Sequence, residues 1–178
     1  LLMAFGDKDI GYLGVDSSSR LIESAREHQK LGRGNKKLQV GDILELDKIP
    51  ENDFDYIYSV AVLHHLPGKN LRVKALEQMK HKLKPGGQII ITVWNLWSQE
   101  KFKKLINKFF IAKLLGRNKM DFGDILFDWK NSQAQSVSQR YYHAFNEREL
   151  RKIASRAGLK IIKLYKDQYN YYLILENE

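Results

Sequence analysis

Phe54-Asp55-Tyr56-Ile57-Tyr58-Ser59-Val60-Ala61-Val62-Leu63-His64-His65-Leu66-Pro67 and Leu83-Lys84-Pro85-Gly86-Gly87-Gln88-Ile89-Ile90-Ile91-Thr92-Val93-Trp94 decide the fold. Residues 54–60 read as a strand and 61–67 as the loop after it. Residues 88–94 are the clearest strand of the chain, β-branched and expected to be buried on both faces. Between the two, residues 70–83 place Val73, Leu76, Met79 and Leu83 at helical spacing, and Pro85-Gly86-Gly87 stops the helix.

The same alternation continues upstream. Residues 10–16 read as a short buried strand ending on Asp16. Ser17 to Ser19 then offer an N-cap for a helix running to about Gln29, with Leu21, Ile22 and Ala25 on its inner face. Gly32 to Asn35 form a turn, residues 37–40 a second short strand, and Gly41-Asp42-Ile43 follow it. Leu1 to Phe5 read as the end of a helix that has no start signal before it, closed by Gly6 and Asp7.

Downstream, residues 101–115 are an amphipathic helix with Phe102, Leu105, Ile106, Phe109 and Phe110 on one stripe. Residues 116–140 are polar and irregular, and the stretch 96–140 reads as an insertion or cap over the sheet. Asn146 and Glu149 make a capping box for a helix carrying Leu150, Ile153 and Ala154 and ending at Gly158. Residues 159–165 and 169–175 form two strands joined as a hairpin. The whole is an α/β pattern: one domain with an open, mostly parallel sheet and helices on both faces.

A length of 178 residues, 43% hydrophobic and 29% charged, suits one globular domain. The absence of cysteine excludes disulfides, thiolate metal sites and thiol catalysis. The apolar runs are far short of the ~20 residues of a membrane span. No targeting segment is visible, so a cytoplasmic location is expected. The formal net charge of +9 favours an anionic partner, nucleic acid first, with an ordinary basic surface as the alternative.

Asp16, at a strand's C-terminal edge, suits a carboxylate that accepts both ribose hydroxyls of a nucleotide, or equally a helix cap. Asp42 could accept the exocyclic amine of an adenine with Ile43 on the ring face, although a Gly-Asp turn is commonplace. Gly32-x-Gly34 does not compete as a dinucleotide loop, because it follows a helix rather than a strand.

In this order and spacing, the Asp16, Gly41-Asp42-Ile43, 54–67 and Leu83-Lys84-Pro85-Gly86-Gly87 segments resemble the class I S-adenosylmethionine-dependent methyltransferases. The resemblance implies a Rossmann-like sheet with an antiparallel last strand, and S-adenosylmethionine as cofactor. It implies cofactor binding by Asp16, Ser17, Gly41, Asp42, Ile43, Ser59, Val60 and Ala61. It also implies a first strand and a glycine-rich cofactor loop, which the 178 residues do not show. The chain is therefore expected to be N-terminally incomplete and, alone, a poor binder of the cofactor.

Phe127-Asp128-Trp129-Lys130, Arg140-Tyr141-Tyr142-His143-Ala144-Phe145, Asp167-Gln168-Tyr169-Asn170-Tyr171-Tyr172-Leu173 and Trp94 resemble the tRNA wobble-uridine carboxymethyl methyltransferases. That family methylates the carboxylate of 5-carboxymethyluridine. An ionised carboxylate needs no general base, so alignment and exclusion of water are the enzyme's main tasks. The resemblance implies that Arg140 and His143 hold the acceptor, that His65 and His64 orient it, and that Trp94, Asn95 and Tyr142 lie on the substrate and RNA side. The structural alternatives are that Arg140 pairs with an acid of the protein, that His143 caps a turn, and that the other histidines only pack.

Residues 101–119 carry seven cations and no acid, and Lys101, Lys104 and Lys108 share a face, either a phosphate-binding surface for tRNA or a solvated one. Membrane-surface binding carries less weight, because Phe102 to Phe110 have a sheet to cover, so no membrane partner and no metal are expected. A small helper protein is plausible. The competing functions are a small-molecule methyltransferase of the same fold and a non-catalytic partner subunit.

Overall fold

The computed structural model describes residues 9–28, 35–130 and 136–177. The expected helix end at 1–5, the end of the first helix at Gln29 and the glycines at 32 and 34 lie outside them. The chain divides into two compact units, residues 1–50 and 51–178.

In the first unit, β1 (Tyr12–Asp16) and β2 (Lys36–Val40) pair in parallel and flank α1 (Ser19–His28). Ser18 Oγ accepts the Leu21 N–H at 3.3 Å and caps α1. Arg26 Nη2 donates to Leu38 O at 2.6 Å and ties α1 to β2. Gly14 lets the side chains close in: a Cβ there would stand 2.5 Å from Leu38 Cδ2. Ile22 is buried, whereas Leu21 and Ala25, expected on the inner face, are exposed. Two strands offer a helix only one row to pack on.

The second unit contains β3 (Phe54–Val60), α2 (Lys69–Lys82), β4 (Leu83–Trp94), α3 (Glu100–Leu114), β5 (Asp124–Lys130), β6 (Ser136–His143), α4 (Glu147–Arg156), β7 (Lys160–Lys166) and β8 (Asn170–Glu176). Its main sheet has the order β3-β4-β8-β7. β3 and β4 are parallel, and β8 is antiparallel to both β4 and β7. The antiparallel last strand is as expected. Ile89, Ile91 and Val93 of β4 and Tyr171, Leu173 and Leu175 of β8 are buried on one face. Leu76 and Met79 of α2 and Leu150 and Ile153 of α4 supply the matching apolar surface, and these helices lie against the sheet. Each such side chain contributes about 1.5–3 kcal/mol on full burial. On the other face Ile90, Thr92, Tyr172 and Ile174 are half-buried, so β4 is buried on one side and only partly covered on the other.

The stretch expected to be irregular, 116–140, instead holds the antiparallel pair β5 and β6. Ile125, Tyr142 and Ala144 join Leu96 and Ile106 in a core of their own, with Phe102, Leu105, Phe109 and Phe127 packed against it. The helical stripe of α3 therefore serves this hairpin.

Pro85-Gly86-Gly87 does more than stop α2. β4 begins directly at Leu83, and the segment forms a bulge: Phe54 faces Leu83, and Tyr56 already faces Gln88. Gly86 sits at φ 73°. A Cβ on Gly87 would lie 2.9 Å from both Lys84 O and Phe54 O. Gly86 N–H donates to Asn177 O at 2.8 Å, and Gly87 O accepts the Asn177 N–H at 3.1 Å, so the bulge also locks the end of the chain. Backbone cannot yield as a side chain does. Gly87→Ala is expected to cost about 1–3 kcal/mol, read as a lower urea midpoint with an unchanged slope; an unshifted midpoint would show that the bulge relaxes freely.

Candidate active site

In the first unit the C-terminal ends of β1 and β2 carry Asp16, Ser17, Gly41, Asp42 and Ile43 close together. Gly41 N–H donates to Asp16 O at 3.0 Å, which links the two strand ends. Asp16 Oδ1 accepts the Ser18 N–H at 2.8 Å. Asp42 Oδ1 accepts the Leu44 N–H at 2.8 Å. Each carboxylate thus serves as a local turn cap through one oxygen and presents the other outward; Asp16, Ser17 and Asp42 are all exposed. Gly41 permits a close approach, since a Cβ would stand 2.8 Å from Val15 Cγ1.

In the second unit β3 ends in a strained turn. Ser59 is buried with its Oγ unpartnered among the described residues, and Val60 is exposed. Ala61 adopts φ 57°, a left-handed conformation that costs a non-glycine residue about 1–2 kcal/mol. It is held there by hydrogen bonds from its N–H to Thr92 O at 2.9 Å and to Thr92 Oγ1 at 3.2 Å. The 3-10 turn Leu63–His65 follows.

That turn brings together four of the expected residues. His64 packs on Trp94 at 4.9 Å between ring centroids, and His65 on Tyr142 at 4.9 Å. Trp94 and Tyr142 stack at 5.1 Å and 20°. His64 is fully buried. Its Nδ1 accepts the Trp94 N–H at 3.3 Å, so the proton sits on Nε2, which has no partner among the described residues. Burial first, then the neighbouring His65 and His143, push its pKa down to about 3, so the ring stays neutral. His65 is lowered mainly by burial; a hydrogen bond with the Tyr141 backbone opposes that, and the nearby Arg140 adds to it. Arg140, exposed, immediately precedes Tyr141 in β6, whose backbone bonds the His65 ring.

Three expected residues do other work. Asn95 is buried, donating from Nδ2 to Asp167 O at 2.9 Å and from its N–H to Tyr169 O at 2.7 Å, so it ties β4 to the β7–β8 turn. Lys101 lies 4.3 Å over the Phe127 ring. His143 is 1% exposed, with Nδ1 2.6 Å from Asp124 Oδ1 and Nε2 2.8 Å from Glu149 Oε1. Both ring nitrogens are taken, which leaves none for an acceptor: its position is that of a clamp. Lys104 and Lys108 are exposed on α3.

The residue that sequence reasoning missed is Arg72, fully buried in α2. Its Nε donates to Leu66 O at 3.0 Å, Nη1 to Glu149 Oε1 at 3.2 Å, and Nη2 to Tyr141 OH at 2.7 Å and Asp124 Oδ1 at 3.1 Å. Tyr141 OH donates to Asp124 Oδ1 at 2.6 Å. Nothing in a helix with Arg72 beside Val73 marks that arginine as internal. Glu149 was legible as a capping-box residue, and its side chain was not.

The profile of the methyltransferase domain family matches residues 2–158. A methyltransferase of Encephalitozoon cuniculi is 28% identical over 164 residues, covering 92% of this chain and 69% of that protein. The Schizosaccharomyces pombe tRNA (carboxymethyluridine(34)-5-O)-methyltransferase is 26% identical over 142 residues, covering 71% of this chain and 58% of that protein. A SAM-dependent methyltransferase from Methanosarcina mazei superposes with TM-score 0.76 at 17% identity, covering 99% of this chain and 86% of that one. A Haloferax volcanii methyltransferase complex with the Trm112 activator gives TM-score 0.64 at 16% identity, covering 99% and 76%.

The chain belongs to the methyltransferase domain family and has the Rossmann-like fold of S-adenosylmethionine-dependent methyltransferases. S-adenosylmethionine is the cofactor of that class. The residues present fit it: Asp16 and Asp42 are exposed at neighbouring strand ends, and each commits one carboxylate oxygen to its own turn.

The Arg72 cluster sets an acid limit. Burial alone would raise the Asp124 carboxyl; hydrogen bonds from His143 and Tyr141, together with the His143 charge, outweigh it and hold Asp124 below the usual aspartate range. A lowered folded pKa gives stability that is present above the unfolded value and lost as pH falls through the folded one. Melting temperature is expected to fall below about pH 4, with a shallower acid limb in Asp124→Asn from a lower starting point. Parallel acid limbs would remove Asp124 from this role. Arg72→Met, which takes the guanidinium away from Asp124 and Glu149, is expected to cost about 3–5 kcal/mol.

Proposed function

We propose that the protein methylates the carboxylate of 5-carboxymethyluridine at the tRNA wobble position. The observation that carries this reading is the pair of half-buried Trp94 and exposed His65, both packed on the buried Tyr142 of β6, with exposed Arg140 two residues before Tyr142 on the same strand. An aromatic shelf suits a splayed-out base, and a guanidinium suits its carboxylate through two parallel hydrogen bonds. The names of the tRNA-modifying relatives support the same acceptor.

S-adenosylmethionine supplies a methyl group already activated on a sulfonium. Within the first unit, Asp16 would take the ribose hydroxyls through the oxygen that Ser18 leaves, and Asp42 would take the adenine amine. The carboxylate arrives ionised, so no residue need remove a proton. A neutral, buried His64 agrees with that, because it can pack and donate from Nε2 but is a poor base. Lys104 and Lys108, exposed on α3, hold RNA phosphates. A small activator protein, like that bound to the Haloferax methyltransferase, belongs to this reading, as does a cytoplasmic location.

The test is transfer of a tritiated methyl group to carboxymethyluridine-bearing tRNA. A carboxylate ester releases its label as methanol in mild base, and N-methyl products do not. Base-labile label on the tRNA is expected. Base-stable label, or transfer only to small acids, would overturn the assignment. Arg140→Lys keeps the charge but loses the fork, and should cut turnover about tenfold with cofactor affinity unchanged. Equal loss of cofactor binding would move Arg140 out of the acceptor site. Replacing Lys104 and Lys108 with Gln should reduce the log–log salt slope of tRNA binding by roughly two units at most; an unaltered slope would make that face merely solvated.

A further inference from the structure

The outward flank of α3 changes character along its length. Its first half presents Lys103, Lys104, Asn107 and Lys108. Its second half, on the same side by helical spacing, presents Phe110, Ile111, Leu114 and Leu115. These four and Phe122 are between 43% and 64% exposed. The hairpin core takes Ile106 with Phe102, Leu105 and Phe109 and leaves these five residues outside. Five bulky apolar residues together are more than the scattered exposure of an ordinary surface.

The patch is built. Gly116 turns the chain at φ 67° and donates to Lys113 O at 2.9 Å, while Arg117 N–H donates to Ala112 O at 2.8 Å. Asn118 Nδ2 donates to Phe109 O at 3.0 Å, its Oδ1 accepts the Met120 N–H at 3.2 Å, and Lys113 Nζ bonds Met120 O. This folded-back turn sets the Phe122 ring 5.2 Å from Phe110. Lys113 sits 5.4 Å over the Phe122 ring. Cations therefore stand before the patch at Lys104 and Lys108, beside it at Lys113, and after it at Arg117 and Lys119. From residue 101 to 119 there is no acid. Glu100 is met by Lys103 at 3.5 Å, and Asp121 adjoins Phe122.

We infer that the second half of α3, with Phe122, is a docking surface for an anionic lipid bilayer, the apolar side chains entering the interface and the cations meeting the headgroups. Charge complementarity selects this occupant. A second copy of the chain would bring the same ring of cations against itself. RNA would meet the lysines but gain nothing from Ile111, Leu114 or Leu115. A protein partner would need acids to meet Lys104, Lys108, Arg117 and Lys119 next to an apolar face, whereas an anionic lipid surface supplies acceptors above an apolar interior. The reading is peripheral: among the described residues, no helix is long and apolar enough to cross a membrane. Lys104 and Lys108 also belong to the proposed RNA face, so vesicle binding is measured on the chain without RNA.

The experiment is co-sedimentation of the chain with phosphatidylcholine vesicles containing about one-third phosphatidylserine, and with phosphatidylcholine alone. Binding to the anionic vesicles is expected, weakening as salt rises. The double variant Leu114→Asp, Leu115→Asp should lower partitioning by at least about tenfold. Both positions are exposed, so its circular dichroism should stay at the wild-type level. Failure to sediment with the anionic vesicles would overturn the inference. So would binding that the double variant retains and only Lys104→Gln with Lys108→Gln removes, because that is charge without insertion. Concentration-dependent dimerisation abolished by the double variant, without vesicle binding, would assign the patch to a second copy instead.

Discussion

A guanidinium buried beyond the reach of water organises the second unit. Arg72 sits inside α2 and reaches three other pieces of chain: the carbonyl of Leu66 at the end of the turn after β3, Asp124 and Tyr141 of the hairpin, and Glu149 of α4. Desolvating such a charge costs several kcal/mol unless its donors are satisfied. Here they meet two carboxylates, a hydroxyl and a carbonyl. His143 lies between the same two carboxylates, with Nδ1 2.6 Å from Asp124 Oδ1 and Nε2 2.8 Å from Glu149 Oε1. A close-packed apolar cluster of equal volume would hold the pieces as firmly. The polar one fixes their orientation as well, because each hydrogen bond has a direction.

That orientation reaches the candidate site through single residue steps. Tyr141 and His143 point into the cluster, so Arg140 and Tyr142 between and beside them are set by the β6 backbone. Tyr142 joins Trp94 and the two histidines, while Arg140 emerges beside His65. Leu66, held by Arg72 Nε, fixes the end of the turn that carries His64 and His65. A shelf made from three distant stretches of sequence thus acquires one geometry from one buried cation.

The sequence was legible where local chemistry and periodicity agree. The β3–α2–β4 unit, the Asn146 N-cap and the β7–β8 hairpin follow from β-branched runs, apolar spacing and turn residues, and the structure repeats them within a residue or two, except that β4 starts five residues early and Glu149 turns its side chain to Arg72 and His143. The β5–β6 hairpin was not legible. Asp124, Asp128 and Arg140 interrupt its apolar pattern, and it buries its side chains against α3 instead of extending the main sheet. Such a hairpin is defined by contacts across sequence, which a period cannot reveal. His143 shows the same limit at the site. Its motif identified it as special, but only the positions of Asp124 and Glu149 show that the ring spans two carboxylates.

The histidines also bear on the kind of chemistry the site can support. A general base needs an accessible ring nitrogen with a pKa near the working pH. His64 has been pushed to about 3, and its Nδ1 already accepts the Trp94 N–H. His143 has no free nitrogen. His65 is drawn down by burial and by Arg140, and the Tyr141 backbone engages its ring. Imidazoles treated this way are shaping groups, and they would serve poorly in a reaction that must deprotonate its acceptor. On the proposed reaction nothing is lost, because a carboxylate offers its lone pair without help. What it needs is a fixed direction of approach and a cation that holds one end without quenching the other. Arg140 on the edge of a rigid aromatic shelf meets both needs, and the buried cluster keeps that edge in place.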